Sequence, residues 1–151
     1  MKIIKKIFLA VVMLFAFASC MSSPINLTGS AAPINSSQKK VLVAYYPEYS
    51  GKWRSDLETS FELRKWKVNE IGFWDVEKTN LRKRNETFLI VIDKTIREDY
   101  ESFLGGTFFS GNISVYDLRT GNKIINYNFH TEESFDVTTR LAKALGGLVT
   151  K

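Results

Sequence analysis

Cysteine and histidine are almost missing from this chain, which has one of each in 151 residues, Cys20 and His130. A single cysteine excludes an internal disulfide, and a zinc site made of several Cys and His ligands has no material. A Ser-His-Asp arrangement would have to run through His130, yet no G-x-S-x-G elbow accompanies it, and a lone histidine at a strand end is commonly a structural or surface residue. Glycine is also wrongly spaced for cradling phosphate. Gly105-Gly106, Gly111 and Gly121 match neither a Walker loop nor a dinucleotide fingerprint. Long apolar runs are lacking too: the longest, from Ile7 to Ala18, is twelve residues, against about 20 for a helix that crosses a bilayer. These shortages lead to the expectation of a chain that does not span, has no metal or cofactor, and is not an enzyme.

What is there begins with Lys2, Lys5 and Lys6, followed by that apolar run and by Ser19-Cys20. A basic start, a short apolar stretch and small residues make a signal peptide over residues 1–19. Phe17-Ala18-Ser19-Cys20 resembles the lipobox of bacterial lipoproteins, with Phe17 in place of the usual leucine. The resemblance implies cleavage before Cys20 and acylation of its thiol by palmitate-like chains. Two or more such chains, at about 0.8 kcal/mol per buried methylene, hold a protein stably on a membrane. Met21 follows where an aspartate would retain many such proteins at the inner membrane, so in a cell with two membranes the expected place is the outer one, facing the periplasm.

The leader takes three of the 21 basic residues with it, leaving 18 against 16 acidic ones, a net of +2. Nucleic-acid binding, which needs a concentrated basic surface, thereby loses its main support. A basic run does remain at Lys78, Arg82, Lys83 and Arg84. Residues 20–38 contain no charge, two prolines and many small polar residues, and are expected to be the lipidated cysteine and a flexible tether. Residues 39–151 hold 17 aromatic residues, ample for one globular domain with its own core.

Within that domain Val41 to Tyr46 is a continuous apolar run, which predicts a strand covered on both faces. Ser55-Asp56-Leu57-Glu58 matches the capping box and predicts a helix over 56–65. A short strand at 66–69 follows, then a polar segment, 77–86, compatible with a loop or a short helix. Thr87–Asp93 predicts a second buried strand. Helical spacing of Ile96, Tyr100, Phe103 and Leu104 predicts a helix that stops at Gly105-Gly106. Alternation in 112–117 and 125–129, with Gly121 between them, predicts a hairpin. A last helix is expected from Ser134 to about Leu145, with Val137, Leu141, Ala144, Leu145 and Leu148 forming its apolar stripe. The fold class is α/β (α+β): a mixed sheet with a C-terminal antiparallel hairpin and helices packed on it.

This order, and the hairpin turn Tyr116-Asp117-Leu118-Arg119-Thr120-Gly121-Asn122-Lys123, resemble the small α/β domain of the TolB amino-terminal part, the CsgG lipoprotein and the lipoproteins that activate penicillin-binding proteins. The resemblance implies a non-catalytic module that docks on another protein of the cell envelope. Candidate partner-binding residues are Trp53, Phe73 and Trp74, since exposed aromatic clusters mark contacts, and Arg82, Lys83 and Arg84. For the aromatics the alternative is that they fill the core, and for the basic run that it is a solvated face. Two other functional readings stay open at this level. One is a small periplasmic hydrolase using carboxylates among Asp93, Glu98, Asp99 and Glu101; the other is a structural lipoprotein that binds peptidoglycan or lipid.

Overall fold

A computed structural model describes residues 24–28, 31–46, 51–93, 96–101 and 107–150, with the backbone alone for 98–101. The expected signal peptide, and Cys20 with it, lie outside the described residues.

The elements are β1 (Lys40–Tyr45), α1 (Gly51–Glu62), β2 (Lys67–Gly72), β3 (Phe88–Ile92), β4 (Arg97–Glu101), β5 (Thr107–Asp117), β6 (Lys123–Glu133) and α2 (Ser134–Gly146). They form one mixed sheet. β1 lies between β2 and β3 and is parallel to both, with Val41 opposite Val68 and Phe88. β3 then pairs antiparallel with β5, Ile90 against Val115, and β5 pairs along its other edge with β6, Ile113 against Tyr127. The mixed α/β architecture and the hairpin follow the expectation from the sequence. Gly121, at φ +79°, takes the left-handed conformation that its turn requires.

Because side chains alternate across a strand, β1 and β3 serve two cores at once. Val41, Val43, Phe88 and Ile90 face α1 and α2, where they meet Trp53, Leu57, Phe61, Val137, Leu141 and Leu145. Leu42, Ala44 and Leu89 face the other way and are covered by Ile71, Phe73, Val76 and Leu81. The continuous apolar runs are explained by this double cover. The seam between the helices is polar. Ser60 and Thr138, both fully buried, share a hydrogen bond of 2.8 Å, and the Ser134 hydroxyl donates to the Asp56 carboxylate.

Two expectations are corrected. The predicted helix at 96–104 is strand β4 in its described part. β5 has eleven residues and β3 only five, so the first half of β5 presents backbone groups with no ladder partner beside β3. Residues 97–101 take that place, and pairing those groups outweighs a helical spacing of side chains. The turn between β3 and β4 brings Ile96 against Gly111, where an added Cβ would lie 2.8 Å from the Ile96 Cα. The other correction concerns α1, which begins by Gly51, so that Ser55 is an exposed residue inside the helix and caps nothing.

The described part of the expected tether packs on the domain. Ile34 is 1% exposed and bonds to both Leu148 and Thr150 across an isolated bridge with Val149. The Arg119 guanidinium donates to the Pro33 and Ala32 carbonyls at 3.1 and 2.8 Å, and Thr28 donates to the Ile124 carbonyl. Among the described residues no helix is long and apolar enough to cross a membrane.

Candidate functional site

The helices cover one face of the sheet. Among the described residues the other face is covered by the segment between β2 and β3, which is made of short turns at Phe73–Asp75 and Leu81–Lys83. A strap of two such turns cannot close over the strands as a helix does. Beneath it an open groove of about 480 Å³ remains, floored by Leu89, Val91, Tyr116 and Leu118, with Phe73, Trp74, Glu77 and Arg82 also lining it. At its mouth Phe73 stacks on Tyr46, ring centroids 3.9 Å apart, and Trp74 stands edge-on to both. Trp74 is 61% exposed. An indole held at a fixed angle yet open to solvent offers apolar area that loses little freedom on contact.

Beside the groove the same face becomes polar. Asn112, Ser114, Asn126 and Asn128 line a shallow hollow together with Phe73 and Tyr116. The amides form a ladder, Asn112 donating to Asn128 at 2.7 Å and to Asn126 at 3.2 Å, with Ser114 donating to Asn126.

A third hollow, about 340 Å³, opens where β1 and β2 begin, and Lys40, Lys67, Lys83, Arg84 and Glu86 line it. Glu86 is nearly buried. Its carboxylate accepts two bonds from Arg84, at 3.0 and 2.8 Å, and one from Asn69 at 2.6 Å. The Arg84 guanidinium, outweighing the cost of burial, holds the Glu86 carboxyl down to about 2. A similar pair closes the β5–β6 turn, where Arg119 grips the buried Asp117. Burial opposes that charge, but the Arg119 side chain and the turn's backbone N–H groups more than offset it, so the Asp117 carboxyl lies below its usual value.

The structure thus sorts the candidate residues into three places. Phe73, Trp74 and Arg82 come together at the groove. Lys83 and Arg84 line the basic hollow, and Arg84 is committed to Glu86. Trp53 belongs to neither: it is 1% exposed and packs between Phe109 and Phe129 in the helix-side core, because it lies on the stripe of α1 shared with Leu57, Ser60 and Phe61. Its assignment as a surface residue is corrected to the core alternative. Lys78 is exposed and pairs with Asp75. His130 is exposed on β6, as is Asp93 after β3. The side chains of Glu98, Asp99 and Glu101 lie outside the described residues.

Leu89, Val91, Tyr116 and Leu118, the groove floor, were not singled out from the sequence. The signal was available: two strands apolar on both faces need two covers, and the helical stripes supply only one.

No family model matches the chain, and no curated protein matches it. Among solved structures it is similar to the PelC dodecamer from Paraburkholderia phytofirmans, with 16% identity over 83% of this chain and 98% of that one, at a TM-score of 0.49. It is similar to TolB from Acinetobacter baumannii at 13% identity, covering 82% of this chain and 31% of that one, TM-score 0.43. A minor lipoprotein from the same organism shares 11% identity over 73% of this chain and 94% of that one, TM-score 0.39. These are likenesses in the run of the chain and carry nothing about ligand or partner.

Proposed function

We propose that this protein is a lipid-anchored, non-catalytic accessory module of the bacterial cell envelope, which captures a protein partner in the groove beneath the 73–84 strap. The leader and Cys20 support the anchor, and Met21 supports an outer-membrane position facing the periplasm. The observation that carries the docking reading is the exposed Trp74, fixed against the Phe73–Tyr46 stack at the mouth of an apolar groove. The fitting occupant is an apolar segment of a partner, with Arg82 and Glu77 at the rim to orient polar flanks. Aromatic and arginine side chains of this kind dominate binding energy at interfaces.

Photo-cross-linking in intact envelopes tests this. A cross-linking side chain at position 74 of the full-length protein is expected to yield an adduct of one discrete mass. The Arg82→Glu variant should lose it, and the same side chain at exposed position 130 should give none. Equal labelling from positions 74 and 130, or indifference to Arg82→Glu, sinks the groove reading. Mass spectrometry of the membrane fraction tests the anchor separately, since a Cys20 without acyl groups removes it.

The ladder of Asn112, Asn126 and Asn128 beside Phe73 and Tyr116 favours one second reading, binding of a glycan such as that of peptidoglycan. Amides pair with sugar hydroxyls and aromatic faces with sugar rings. Co-sedimentation with purified sacculi that is lost in Asn112→Ala with Asn126→Ala would support it over protein capture.

A further inference from the structure

The end of the sheet where β1 and β2 start is crowded with cations. Lys40 and Lys67 are register partners on adjacent parallel strands, so their side chains rise from backbones about 4.8 Å apart. Lys83 closes the same hollow. α1 runs out at this end through Leu63, Arg64 and Lys65, and the Lys39 ammonium donates to the Arg64 carbonyl. The acids here include Glu62, Glu86 and Asp117; Glu86 is already taken by Arg84 and Asn69, and Asp117 by Arg119. Among the described residues Lys40, Lys65, Lys67 and Lys83 form no ion pair. Like charges directly opposite on neighbouring strands destabilise a sheet, so stability alone does not explain this arrangement.

Three further observations point the same way. Leu63, amid these cations, is 68% exposed, the highest of the exposed large hydrophobic side chains among the described residues. Lys65 sits at φ +60°, a helix-end conformation that glycine or asparagine adopts with less strain, and what lysine adds there is charge. The chain's first described residues also lie at this end: Thr28 bonds to Ile124 near the start of β6, and Pro33 and Ala32 to Arg119 beside it. Cys20 precedes Thr28 by eight residues, a contour of at most about 29 Å.

We propose that this basic end is a docking surface for an anionic phospholipid bilayer, with Lys40, Lys65, Lys67 and Lys83 on headgroup phosphates and Leu63 dipping among the acyl chains. Its closeness to the membrane rests on the reading that Cys20 is acylated; its affinity for anionic lipid does not. Cys20 would then hold the protein on the membrane, and the lysines would set which way the domain faces.

The test uses the full chain carrying Leu63→Cys, labelled with an environment-sensitive dye; acylation blocks Cys20, the single native cysteine, and a copy that also carries Cys20→Ser keeps the dye at position 63 alone if that thiol is free. On vesicles of phosphatidylethanolamine and phosphatidylglycerol the dye should shift to the blue and be quenched by spin-labelled lipid. On pure phosphatidylcholine, or in 1 M salt, it should do neither. Each lysine near an anionic surface is worth roughly five-fold in binding, so joint replacement of the four by serine should weaken docking by several hundred-fold, with replacement by arginine leaving it in place. Flotation with phosphatidylcholine vesicles reports the anchor alone: a chain that fails to float there but docks on anionic vesicles at low salt lacks acylation and keeps the surface. Equal docking on neutral lipid, or a serine variant that docks like the parent at unchanged thermal midpoint, overturns the proposal. So does sedimentation with peptidoglycan sacculi without any response to vesicles.

Discussion

Replacing Glu86 by glutamine tests how the basic end is held together. The carboxylate accepts from Arg84 Nε and Nη2 and from Asn69 Nδ2; in Glu86→Gln one oxygen becomes an NH₂ facing an N–H donor, and the remaining one is neutral. The folded carboxyl lies at about 2 against an ordinary 4.5, and at about 1.4 kcal/mol per pH unit this difference corresponds to about 3 kcal/mol. Arg84 is about a third exposed, so solvent screening trims the expected loss at pH 7 to about 2–3 kcal/mol. For a domain of this size that is a fall in the thermal midpoint of roughly 6–15 °C. The pH dependence has a definite sign. A carboxyl depressed on folding contributes its full stability above the unfolded value of 4.5 and loses it as pH falls toward about 2. Urea unfolding of both proteins between pH 7 and pH 2 should therefore show a gap that is constant down to about pH 5 and closes by about pH 2. A variant within about 0.5 kcal/mol of the parent at pH 7, or a gap that widens on acidification, refutes the assignment.

The two tryptophans separate core from surface: by urea unfolding Trp53→Ala should cost about 3–5 kcal/mol and Trp74→Ala under about 0.5, and the reverse order would show the sites exchanged. Gly111→Ala should destabilise by about 1–3 kcal/mol, since its Cβ meets the Ile96 backbone, and a variant as stable as the parent would mean that this crossing yields. Arg119→Met strands the buried Asp117 and releases the Ala32 and Pro33 carbonyls. Limited proteolysis should then cut the 24–38 segment at least about ten-fold faster, as opening there becomes cheaper, and unchanged rates would show that Ile34 alone holds it.

Local chemistry in the sequence was sufficient for the parts that depend on near neighbours. The apolar runs of β1 and β3, the alternation of β5 and β6 around Gly121 and the stripe of α2 are periodicities that the backbone reads directly. The groove's aromatic and basic residues, Phe73, Trp74 and Arg82, were legible as types. Which of the three tryptophan and phenylalanine candidates faced out was not, because exposure depends on what packs above a residue. Tertiary structure decided the rest. A helical spacing at 96–104 yielded to the unpaired edge of β5; Ile34, in a stretch composed like a tether, found a bridge to Val149 at the other end of the chain; and Lys40, Lys67 and Lys83, scattered over 44 residues, became one cationic end through strand register. Pairings between distant segments are set by which backbone groups and apolar faces remain unsatisfied once the local elements have formed, and no window of the sequence contains that information.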